Sequence, residues 1–178
     1  MTRNTLVSAA CLLAASFFMT ENPAIAQTSV PTPDQALAAF SSSNPFYAAP
    51  APPFYAPPFE KIKDSDYQPA IEAGMAEQEK EMQAIADNSA PPTFENTYVA
   101  MEKSGALLNR VMAVFNAVTS ADTNPYLENV QTAEAPRLSA HQDSIYLNPK
   151  LFARVRAVYQ QRASLHAVYV LAPPPAVA

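Results

Sequence analysis

The sequence predicts an all-α protein, an antiparallel bundle of four to five helices preceded by an extended proline-rich segment, with no sheet. Apolar residues recur at three- and four-residue spacing along successive stretches of the chain, the period of a helix with one buried side. These stretches open on Ser, Thr or Asn cap signals, twice followed at once by proline, which is favoured at the first helical position. No stretch alternates apolar and polar residues as a half-buried strand does, and short Asn/Pro/Ser/Asp turns favour antiparallel neighbours.

The first helix is expected over about 65–86. Ser65 with Gln68 three residues later makes a capping-box pattern, and Pro69 falls in the first turn. Tyr67, Ile71, Met75, Met82 and Ile85 share one face, while Glu72, Glu77, Glu79, Lys80 and Glu81 fall largely elsewhere. Thr93 is placed to cap a second helix carrying Phe94, Tyr98 and Met101; Leu108, Met112 and Phe115 continue the stripe past Gly105, which kinks or divides it. Asn124-Pro125 starts a third helix with Leu127, Val130, Leu138 and Ile145 on its apolar side and a bend expected at Pro136. Asn148-Pro149 starts a fourth, in which Leu151, Phe152, Val155, Val158 and Tyr159 recur at helical spacing.

The chain divides into residues 1–26, 27–62, 63–165 and 166–178. The first has the three parts of an export signal: Arg3, an apolar run over 6–19, and small residues at Ala24 and Ala26 before Gln27. Cleavage is expected between Ala26 and Gln27, with delivery to a periplasm of the Gram-negative type. Cys11, the only cysteine, lies in this leader, so the mature chain has no thiol for a disulfide or a metal. Residues 27–62 are rich in Pro and Ala and read as extended or disordered; their aromatics Phe46, Tyr47, Phe54, Tyr55 and Phe59 suit docking into a groove of a neighbouring domain, and a plain extracytoplasmic spacer is the alternative. Residues 166–178 carry no Asp, Glu, Lys or Arg and end in a proline-rich stretch, an atypical apolar tail with the character of a shifted reading frame.

Composition excludes several functions. A net charge of −5 with no basic run disfavours nucleic acid, and no apolar stretch beyond the leader is long enough for a membrane span. Glu72, Glu77, Glu79 and Glu81 follow no calcium-loop pattern and read as a solvated face. Met75, Met82, Met101 and Met112 fall on apolar stripes and read as core fillers rather than a copper site. His141 with Asp143 lacks the Gly-x-Ser-x-Gly turn of a serine hydrolase.

Asn44-Pro45-Phe46, 56–62 (APPFEKI), 66–71 (DYQPAI), 92–97 (PTFENT), 100–105 (AMEKSG), 107–111 (LLNRV), 145–148 (IYLN) and 151–155 (LFARV) carry a resemblance over about 44–165. The chain there resembles the N-terminal region of bacterial peptidyl-dipeptidases, zinc metallopeptidases of the thimet oligopeptidase and oligopeptidase A family. The resemblance implies a large, mostly helical enzyme around a deep channel, cutting short peptides with one zinc ion, and a place for this portion in the channel wall. Asn109 and Arg110 are the residues it offers as channel-lining, with a structural ion pair as the alternative for Arg110.

The family's catalytic element is a His-Glu-x-x-His helix with a further glutamate ligand, which supplies the zinc ligands and the general base. That motif does not occur in these 178 residues, whose two histidines, His141 and His166, lie 25 residues apart. No catalytic, cofactor-binding or metal residue is therefore expected here. The sequence reads as an N-terminal fragment of an exported peptidase whose partner is the missing C-terminal catalytic part, and exposed apolar helix faces are expected from it. The alternative is a free-standing helical binding module built on the same scaffold.

Overall fold

The computed structural model describes residues 31–50 and 56–162. The leader with Ala24, Ala26 and Gln27, Cys11, Phe54, Tyr55, His166 and the tail lie outside them. Among the described residues the structure is helical and has no strand. Helix α1 spans Pro33–Ala39, and a 3₁₀ turn at Phe59–Lys61 leads to α2, Asp64–Ala86. A π-helical turn, Glu95–Val99, runs into α3, Ala100–Lys103; α4 is Ala106–Ala121, α5 Pro125–Tyr146 and α6 Pro149–Gln160. No helix here is long and apolar enough to cross a membrane.

Helix α2 is the hub, with the other five packed on it. Nine consecutive residues of it, Tyr67 to Met75, are buried, because α1, α4 and α5 enclose its first half. The main core joins Phe46, Ile71, Val111, Phe115, Leu127 and Val130, each fully buried apolar side chain contributing roughly 2 kcal/mol by leaving water. Three rings run through it: Tyr67 lies 5.6 Å from Phe46 and 5.3 Å from Phe115, both tilted. A satellite cluster of Met82, Ile85, Ala86 and Leu151, with Met101 and Ile145 against it, ties the far end of α2 to α6.

The caps follow the sequence where short polar side chains precede proline. Asn124 Oδ1 accepts from the Tyr126 and Leu127 amides at 3.0 and 3.1 Å, and Asn148 Oδ1 does the same for Lys150 and Leu151. Thr93 and Asn96 cap reciprocally. Gly105, at φ 70, separates α3 from α4, a left-handed conformation that costs glycine least. Helix α5 continues through Pro136.

Four expectations change. Helix α2 starts earlier than 65: Asp66 Oδ2 accepts the Lys63 amide at 2.8 Å, which frees Gln68 to point into the core. The stretch 27–62 is not extended throughout, since Thr32-Pro33-Asp34-Gln35 is itself a cap-and-proline start; the Thr32 amide donates to Gln35 Oε1 at 3.0 Å and α1 follows. Phe46 enters this chain's own core at 2% exposed rather than a neighbour's groove. Phe152 and Tyr159, at 62% and 57% exposed, face outward from α6 although they share its helical period; Leu151 and Val158 are the ones turned inward.

Candidate functional site

Two features dominate the chemistry of this bundle. The first is a buried polar cluster where α1, α2 and α5 meet. Glu134 occupies the apolar stripe of α5 between Val130 and Leu138 and is 1% exposed. The Gln68 amide nitrogen spends its two protons on Glu134 Oε1 at 2.8 Å and on the Pro31 carbonyl at 2.9 Å. Arg137, one turn along α5, grips Glu72 with Nε at 2.5 Å and Nη2 at 2.8 Å, and stands 3.7 Å from Glu134 Oε2. Glu134 Oε2 and Gln68 Oε1 are buried with no hydrogen-bond partner. Burial pushes the Glu134 carboxyl up to about 7; the Gln68 hydrogen bond opposes this and the Glu72 charge adds to it.

The second is a groove of about 550 Å³ between α2, α3, α4 and α5. Its apolar walls include Met82, Met101, Met112, Leu138 and Ile145, and its polar groups include Gln78, Asn109, His141 and Gln142. His141 Nε2 pairs with Gln78 Oε1 at 2.8 Å, and burial holds the imidazole below its ordinary range, so it is neutral at pH 7. Asp143 is exposed and takes no part in this pair. The groove offers a hydrogen-bonding, methionine-rich surface with one carboxylate, Glu102, on its rim, and neither Lys nor Arg is among the residues that line it.

Asn109 lies on this groove wall, whereas Arg110 turns away and donates Nη2 to the Phe46 carbonyl at 2.8 Å, clamping the 44–47 segment onto α4. Of the glutamates read as a solvated face, Glu77 and Glu79 are exposed. Glu72 is instead buried on Arg137, and Glu81 Oε2 accepts the Gly105 amide at 2.7 Å; both serve packing. Met75 lies in the core, while Met101 and Met112 are half-buried on the groove. The described residues contain no group of three or more His, Cys, Asp or Glu side chains placed to share a metal ion, so they do not fit a catalytic zinc.

Sequence reasoning missed Gln68, Glu134, Arg137 and Arg154. Arg154 is 6% exposed and donates to the Asn88 and Ala90 carbonyls at 2.7 and 3.2 Å and to Asn96 Oδ1 at 2.8 Å, closing the loop between α2 and α3. The available signal was phase: Glu134 falls in register with Leu127, Val130 and Leu138, and Arg154 with Leu151 and Val158.

Many residues with a structural duty here belong to the segments that carry the family resemblance. Asn44 donates to the Asp66 carbonyl and accepts from the Phe46 amide, both at 2.9 Å, while Gln68, Asn96, Arg110 and Arg154 each tie two segments together. No family model matches the chain. It is similar to the dipeptidyl carboxypeptidase of Salmonella typhimurium, 47% identical over 124 residues, which are 70% of this chain and 18% of the relative. The protein of the same name from Escherichia coli is 43% identical over 125 residues, again 70% of this chain and 18% of the relative. The chain spans less than a fifth of the length of these curated relatives, and over most of its own length it is a homologue of one portion of the bacterial dipeptidyl carboxypeptidases, the peptidyl-dipeptidases.

Proposed function

We propose that this chain is the amino-terminal scaffold portion of an exported zinc peptidyl-dipeptidase that cuts short peptides, and that the metal and the catalytic groups belong to a portion outside these residues. The observation that carries the reading is the identity of 43–47% to dipeptidyl carboxypeptidases in a sequence with no His-Glu-x-x-His. The exposed large apolar side chains support it. Tyr146, Leu147, Phe152 and Tyr159 are each more than half exposed at the α5–α6 end, a large apolar surface for an isolated unit and a suitable seat for the remaining portion of such an enzyme.

The test is to express all 178 residues in a Gram-negative host, recover the product from the periplasm, and measure its first residue, bound zinc and dipeptide release from a short peptide. The expected result is a chain beginning at Gln27, with zinc well below one per chain and no dipeptide release. One zinc per chain with dipeptide release would overturn the proposal.

A further inference from the structure

Glu134 is the group in this bundle whose chemistry the scaffold reading leaves unused. It is buried, its Oε2 has no hydrogen-bond partner and only a 3.7 Å approach from Arg137 Nε, and it sits beside a second carboxylate that already holds that guanidinium. We propose that Glu134, Glu72, Gln68 and Arg137 form a pH-operated latch that fastens residues 31–39 to α2 while Glu134 is protonated and releases them when it ionises.

The geometry gives the latch its two positions. With a proton on Oε2, Glu134 is neutral and can donate toward Glu72, and its Oε1 accepts the Gln68 amide that also holds the Pro31 carbonyl. Without the proton, Glu134, Glu72 on α2 and Asp34 on α1 set three negative charges against Arg137, whose guanidinium is already committed to Glu72. Other charged and titratable groups nearby are Glu79 on α2 and His141 on α5, which line the adjoining surface with Asp34 and Arg137. An ionised Glu134 therefore has to be reached by water. The element free to yield is α1, seven residues long and with Ala36 as its one buried residue; a helix that short does not persist unpacked. Helices α2 and α5 are held by the main core.

The sign follows from the direction of the shift. The Glu134 carboxyl is raised from 4.5 to about 7 in the folded protein, so the closed latch holds the proton more tightly than the open one. Its contribution is complete below the unshifted value and is lost as the pH rises through about 7.

Hydrogen exchange on the full 178-residue protein at pH 5.5 and 8.0, corrected for intrinsic exchange chemistry, tests this. The amides of Ala36 in α1 and of Phe40, which caps its end, bonded to the Thr32 and Leu37 carbonyls, should lose at least tenfold in protection at pH 8.0 while those of Val111 and Val114 in α4 hold theirs. Glu134→Gln keeps an acceptor for Gln68 and puts an amide donor in place of the acid proton, so α1 should stay protected at both pH values. Gln68→Leu cuts the tie to Pro31, so α1 should be open even at pH 5.5. Equal α1 protection at both pH values in the parent, loss in α1 and α4 together, or α1 protection unaffected by Gln68→Leu would each overturn the latch.

Discussion

Arg137→Ala is expected to lower the folding stability of this bundle by about 3 kcal/mol, read as a shift of the urea midpoint at constant slope. The substitution leaves Glu72, 5% exposed, and Glu134, 1% exposed, beside each other with no guanidinium. Breaking a buried pair from one side typically costs about 3–5 kcal/mol. The lower end applies because the Arg137 side chain is 41% exposed, so water already carries part of its charge. Glu134→Gln on the same background removes one of the stranded carboxylates and should recover part of the loss. A cost under about 1 kcal/mol would place Arg137 among ordinary surface ion pairs.

Gly74→Val should be at least as damaging, for a reason of shape. A Cβ at Gly74 would stand 2.8 Å from the Leu108 Cα and 2.9 Å from its amide nitrogen. Both are backbone atoms, so no rotamer change relieves the contact and α4 must move off α2, opening the core that contains Leu107, Leu108 and Val111. Overpacking of this kind costs about 1–3 kcal/mol, and two further methyl groups on a backbone-to-backbone contact put Val at or above the upper figure. Gly74→Ala makes the same first clash, although the gain in helix propensity of about 1 kcal/mol offsets part of it. Thermal unfolding of the two variants should rank parent, Ala, Val in descending stability, and an Ala variant more stable than the parent would show that the helices separate freely.

The helical periods and the caps were legible because they are local. Asn124, Asn148 and Thr93 announce helix starts by side chains that bond amides two or three residues away, and Gly105 announces a left-handed junction. Helix α1 was legible in principle from Thr32-Pro33, but the surrounding proline-rich composition masks a seven-residue helix whose stability comes from lying on α2. The polar cluster was not legible. Gln68 meets Glu134 across 66 residues of sequence and Arg137 meets Glu72 across 65, so only the folded arrangement turns a helix-surface glutamate into a buried acid that holds its proton more tightly than a solvated one. Phe152 failed for a related reason: period gives a face, and the partner on that face is a property of tertiary packing.

The same division holds for the groove. Met82, Met101, Met112 and His141 come from four helices, α2, α3, α4 and α5, and sequence spacing assigns the methionines to apolar stripes without saying that the stripes part to leave a cavity. Asn109 and Arg110 are neighbours in sequence that helix geometry sends about 100° apart, one to the groove and one to the Phe46 carbonyl.

The most direct test of the scaffold reading is a segment exchange. The 125 residues of the Escherichia coli dipeptidyl carboxypeptidase that match this chain are replaced by this chain's own, and dipeptide release is measured beside the parent. Activity within about tenfold of the parent is the result expected if this bundle holds the same place in the enzyme and contributes no catalytic group. A folded chimaera with no dipeptide release would contradict that account and favour a free-standing helical module.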